Sequence, residues 1–62
     1  MPIIHVELFE GRTADQKRDF AKAVTEAVVK ILGSSADQTD VIFQDVKRSD
    51  WATGGKLASD KT

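Results

Sequence analysis

Residues 13–33, TADQKRDFAKAVTEAVVKILG, decide the fold. Thr13-Ala14-Asp15-Gln16 fits a capping box, in which the threonine hydroxyl accepts from the amide three residues on and Gln16 reaches back. From Ala14 to Leu32 the apolar residues Phe20, Val24, Ala27, Val28, Ile31 and Leu32 recur at three- and four-residue steps. Asp15, Lys17, Lys22, Glu26 and Lys30 are mostly directed elsewhere, so one amphipathic helix is predicted over Ala14–Leu32. It would be roughly 28 Å long. Gly33 is placed to end it in a left-handed conformation.

Upstream lies Ile3–Phe9 (IIHVELF), with Ile4, Val6 and Leu8 on one face and Ile3, His5, Glu7 and Phe9 on the other. The alternation and the β-branched content predict a strand of roughly 23 Å, and both faces carry enough apolar surface to be covered. Glu10-Gly11 supplies a turn. Downstream, Ser34–Thr39 is polar and holds at most one short helical turn. Asp40–Val46 (DVIFQDV) then reads as a second strand, with Val41 and Phe43 on one side and Ile42 and Val46 on the other. Strand, helix, strand predicts an α/β (α+β) protomer: two parallel strands joined by a right-handed crossover. Lys47–Thr62 reads as a loop with a small hairpin, and Ser59–Thr62 as a disordered end. One helix covers only one face of such a sheet, so the other face calls for another subunit.

Composition sharpens this. With 62 residues the chain makes a single domain, 1–62, and a domain of this size buries only about 60% of its unfolded surface. Disulfides, a metal or a partner subunit usually supply the rest. There is no cysteine, which excludes disulfides, a thiol nucleophile and zinc knuckles, and the lone His5 leaves a transition-metal site short of ligands. Oligomerisation remains. Nine Lys+Arg against ten Asp+Glu give a net charge of −1, without the basic face that nucleic-acid binding needs. The apolar runs are too short to span a membrane. A cytoplasmic protein is expected.

Few residues carry chemistry. Pro2 follows the initiator methionine, whose removal would expose a secondary amine on a rigid ring. An α-amino group has a reference pKa of about 8, which a low-dielectric pocket with a neighbouring cation would lower toward the useful range of a general base. Proline also simply suits the start of a strand. Arg12, beside the Gly11 turn, could grip a carboxylate in bidentate fashion, although most turn arginines are only solvated. Trp51 is the sole tryptophan and would close a pocket or, more often, an interface. His5 reads as an interface or surface residue, and Gly54-Gly55 as a turn.

Together these residues are more specific. MPIIHVELFEGRTADQKRDFAKAVTEAV resembles the opening of the 4-oxalocrotonate tautomerase (2-hydroxymuconate tautomerase) family, and Asp50–Gly55 (DWATGG) is similar to that family's aromatic-then-GG segment. The resemblance implies a β-α-β protomer that assembles into dimers and commonly hexamers, with active sites at subunit junctions. It implies a cofactor-independent, metal-free isomerase acting on an enol or unsaturated 2-keto acid. Pro2 would be the general base and acid, Arg12 would bind the carboxylate and carbonyl end, and Trp51 would wall the pocket and help keep the proline amine neutral.

Asp40 departs from the family pattern, because the resemblance places a second arginine there to engage the far carboxylate of a dicarboxylate substrate. Either Lys47 or Arg48 replaces that cation, or the substrate is a monocarboxylate enol needing only Arg12; the second reading is favoured. A retained Met1 would turn the Pro2 amine into an amide without useful basicity. Two other functions are distinguishable. A hydratase or dehalogenase of unsaturated acids needs an extra carboxylate to activate water, and Trp51-Ala52-Thr53 offers none beyond Asp50. A non-catalytic oligomeric module with a decayed site would show Asp40 as its symptom, and would be indifferent to changes at Pro2 and Arg12.

Overall fold

The computed structural model describes residues 1–60. Strand β1 is Ile3–Phe9, helix α1 is Ala14–Ala27 and strand β2 is Asp40–Val46. β1 and β2 pair in parallel, with Ile3 opposite Asp40 and Phe9 opposite Val46. The capping box at Thr13 forms as the sequence predicts: Gln16 N–H donates to Thr13 Oγ1 at 3.1 Å, and Thr13 N–H donates to Gln16 Oε1 at 3.0 Å. Such a cap is worth about 1 kcal/mol, and it fixes where the chain turns from loop to helix.

The helix departs from expectation at its end. Val28–Leu32 forms a π-helical turn rather than continuing α1, and Gly33 then closes it at φ 75°. The i→i+5 spacing of a π turn shifts side chains off the α-helical stripe. Ile31 is consequently 77% exposed instead of joining Val24 and Val28 over the sheet. The face that packs on the sheet runs through Lys17, Ala21, Val24 and Val28, while Phe20 and Ala27 flank it and stay exposed. Phe20 still meets Phe43 edge-on, with ring centroids 6.1 Å apart. Near the first turn, Lys17 Nζ bridges to the Asp45 carboxylate at 2.9 Å. This pair is partly exposed, so it contributes well under about 1 kcal/mol and serves mainly to hold the helix start against the end of β2.

Ser34–Thr39 holds the one short turn expected, a 3-10 turn at Ala36–Gln38. The C-terminal segment contains the anticipated hairpin. Strands β3 (Ala52–Thr53) and β4 (Lys56–Leu57) pair antiparallel. Gly54 and Gly55 connect them with φ of 62° and 81°, the pair of positive angles that a two-residue hairpin turn of matching twist requires. The end expected to be disordered is ordered where it is described: Ser59 and Asp60 belong to a 3-10 turn at Ala58–Asp60. Lys61 and Thr62 lie outside the described residues.

The protomer does not close a core. Among the described residues only Val28 is buried. The radius of gyration is 14.7 Å, against about 11 Å for a compact chain of this length. The accessible surface is 4907 Å², against about 4,000 Å² for a compact monomer. Helix α1 covers the face bearing Ile4, Val6, Leu8, Val41 and Phe43, which are half-buried. On the opposite face Ile3, His5, Glu7, Ile42 and Gln44 are exposed. That face is uncovered except at its far end, where Phe9, paired with the half-buried Val46, meets Trp51 of the C-terminal segment.

Candidate active site

The ends of the two-stranded sheet hold different candidate residues. Pro2 sits immediately before β1, half-buried, with its carbonyl accepting a hydrogen bond from the Asp40 N–H at 3.0 Å. This bond extends the parallel ladder one residue outward and ties the proline to the start of β2. Met1 beyond it packs on little and is 82% exposed.

Arg12 lies at the other end. The chain leaves β1 with a Glu10 N–H donating to the Val46 carbonyl at 3.0 Å, then reverses at Gly11, whose φ of 116° disfavours any side chain. Arg12 follows, exposed, just before the helix cap. Trp51 reaches the same end from the C-terminal segment. A 3-10 turn at Arg48–Asp50 brings it back over β1, and the Trp51 carbonyl is held by the Ala58 N–H at 2.7 Å. Its ring lies 4.7 Å from that of Phe9, tilted by 53°. Arg48 Cζ stands 4.2 Å from the Phe9 ring centroid, a cation–π contact worth about 0.5–1 kcal/mol at an exposed site.

Phe9, Glu10, Arg12, Arg48 and Trp51 line one cleft of about 460 Å³. Arginine and aromatic groups in one concave site can take a planar carboxylate, with its two oxygens on a guanidinium and its carbon skeleton on the rings. Thus the structure brings Arg12 and Trp51 together in one cleft, whereas Pro2 does not join them. The six residue steps along β1 put Pro2 roughly 20 Å from the cleft within one protomer, beyond the reach of an arginine side chain. Phe9 is a cleft residue that sequence reasoning did not place there, and Arg48, weighed from the sequence only as a replacement for the family's second arginine, shares the cleft with Arg12. Their only signals are the parity of Phe9 on the open face and the Lys47-Arg48 pair just after β2. A second, more apolar groove of about 290 Å³ lies between α1 and the sheet, lined chiefly by Val6, Leu8, Phe20 and Phe43. Asp40 is exposed, and among the described residues it is in no ion pair. His5 is exposed on the open face. Among the described residues no group of three or more His, Asp or Glu side chains is arranged to hold a metal ion, and no helix is long and apolar enough to cross a membrane.

Comparison with known proteins agrees with this architecture. A family model described as tautomerase enzyme matches residues 2–61. A probable tautomerase of Lactococcus lactis is 43% identical over 61 residues, covering 98% of this chain and all of that protein (100%). The 2-hydroxymuconate tautomerase of Bacillus subtilis is 38% identical over 60 residues, 97% of each chain. Among solved structures, the 4-oxalocrotonate tautomerase homologue YwhB superposes with a TM-score of 0.94 at 36% identity, covering 98% of this chain and 100% of that one. A subunit of the heterohexameric 4-oxalocrotonate tautomerase of Chloroflexus aurantiacus gives a TM-score of 0.90 at 25% identity, covering 97% of each chain.

Proposed function

Since the chain belongs to the tautomerase family, a group of isomerases, we propose that it interconverts the enol and keto forms of a 2-keto acid with the Pro2 amine as its acid–base group. The observation that carries this reading is the placement of Pro2. Its carbonyl is fixed by the Asp40 N–H and the Met1 before it is exposed, so a chain that begins at Pro2 would carry a secondary amine on a ring that is already held. The neutral amine takes the proton from the 2-hydroxyl of the enol. As the O–H bond breaks, the C2=O bond forms and the electron pair of the C2=C3 bond takes the proton back from the ammonium at C3. Arg12 binds the carboxylate and the C2 oxygen, where negative charge develops during the first transfer. Trp51 packs on the carbon skeleton and excludes water. No cofactor takes part.

The separation of Pro2 from Arg12 makes the working site a junction: the proline of one copy faces the cleft of another. A cytoplasmic homo-oligomer, at least a dimer and in full a hexamer built as a trimer of dimers, meets that need and covers the open sheet face. The excess surface of the protomer supports assembly, and the heterohexamer formed by the Chloroflexus relative supports six subunits.

Asp40 sets the substrate. Its carboxylate stands at the proline end of the sheet and, among the described residues, is in no ion pair, so a second carboxylate on the substrate would meet repulsion there. A monocarboxylate enol with an uncharged far end fits. Phenylenolpyruvate is therefore expected to be ketonised faster than 2-hydroxymuconate, and Asp40→Arg is expected to raise kcat/KM for the dicarboxylate about tenfold relative to the monocarboxylate. Ultraviolet assays of both substrates on both proteins check this. Turnover of neither substrate by the unmodified protein would overturn the tautomerase reading; an unchanged ratio would overturn the role of Asp40.

A further inference from the structure

We propose that Arg48 is a second substrate-binding guanidinium, which shares with Arg12 the carboxylate and C2 oxygen of the 2-keto acid; this rests on the assignment of the Arg12–Trp51 cleft to substrate. Two arginines among the described residues line this cleft, against the single carboxylate of Glu10. Among the described residues neither arginine is in an ion pair, so their donors are open to an anion. Arg48 is also held in place before any ligand arrives. Its guanidinium lies 4.2 Å over the Phe9 ring, and Phe9 is itself packed against Trp51 at 4.7 Å. The 3-10 turn Arg48–Asp50 fixes its backbone. Contact with the ring uses the charge of the guanidinium and pairs none of its five N–H donors with an acceptor. The cation–π contact therefore leaves these donors for a ligand and reduces the rotamer freedom lost on binding.

The two groups divide the work by origin. Arg12 stands on the turn between β1 and α1, and Arg48 on the turn after β2, so an anion between them is approached from two independent segments. A carboxylate with an adjacent carbonyl oxygen offers a third acceptor oxygen, so two guanidinium forks are satisfied more fully than by a plain carboxylate. The cleft thereby favours 2-oxo and 2-hydroxy-enol acids over simple acids by the hydrogen bonds to that third oxygen. The anionic demand is met wholly at this end, consistent with an uncharged far end of the substrate at Asp40.

Calorimetric titration of phenylpyruvate into the assembled, Met1-free protein tests this without relying on turnover. Arg48→Met keeps the apolar packing on Phe9 and removes the charge. It is expected to weaken binding about tenfold, to flatten the salt dependence of Kd, and to leave the melting temperature unchanged. Arg48→Lys, which restores a charge without the planar fork, is expected to fall between. Binding by Arg48→Met within about twofold of the parent, with the same salt dependence, would overturn the proposal while leaving the cleft assignment intact. Equal loss of binding in both variants with a lowered melting temperature would show that Arg48 only supports the fold, and would also overturn it. If the parent protein itself binds no 2-keto acid, the substrate reading fails and this inference with it.

Discussion

Pro2→Ala is expected to slow ketonisation of phenylenolpyruvate by about a hundredfold, the lower part of the range for removal of a positioned general base. Alanine at this position still presents an amine after Met1 is removed, but a primary one on a freely turning bond. The proline nitrogen is fixed by its ring and by the Asp40–Pro2 hydrogen bond of 3.0 Å. A protein that keeps Met1 is the stronger control, because its Pro2 nitrogen is an amide and cannot accept a proton. Its rate is expected to match the uncatalysed reaction. The acid limb of the kcat/KM profile, which reports the base of the free enzyme, should change with Pro2→Ala while the assembled state does not. An unaltered rate in both proteins would remove Pro2 from the mechanism.

The second large effect concerns assembly. Ile42 is 49% exposed in the protomer, at the middle of the open sheet face. Ile42→Asp places a carboxylate where the account puts another subunit, and an unpaired charge in an apolar interface costs several kcal/mol. Because only Val28 is buried within the described protomer, loss of assembly is expected to bring loss of cooperative folding. Light scattering after size exclusion should give monomers, and far-ultraviolet circular dichroism a broad, low melt that rises with protein concentration. An Ile42→Asp protein that elutes and melts as the parent does would show that this face is not an interface.

The local structure was readable where it rests on neighbouring residues. Thr13 and Gln16 mark the helix start because a capping box needs only two side chains three residues apart. Gly33 marks the end for the same local reason, and the alternation in Ile3–Phe9 and Asp40–Val46 assigns each side chain to a face that the structure reproduces. The π turn at Val28–Leu32 has no such signature: Val28, Ile31 and Leu32 fit an α-helical stripe equally well, and the choice is made by packing. The candidate site was legible to a different degree. Arg12 and Trp51 were expected in one pocket through a family resemblance, and the cleft contains both. Arg48 on Phe9 depends on how residues 47–60 fold back over β1, which spacing does not encode. That Pro2 and Arg12 cannot meet within one protomer follows once β1 is a straight strand, since it fills the interval between them.

Hybrid assemblies test that last point, and with it the central claim, most directly. Pro2→Ala and Arg12→Ala proteins are each expected to be nearly inactive, and co-assembled in equal amounts they should draw the proline and the arginine of a site from different chains. Random mixing then gives intact pairs at about a quarter of the sites, so about a quarter of the parent activity should return. Activity no greater than that of the two variants assayed separately, in assemblies shown to contain both chains, would contradict a site shared between subunits.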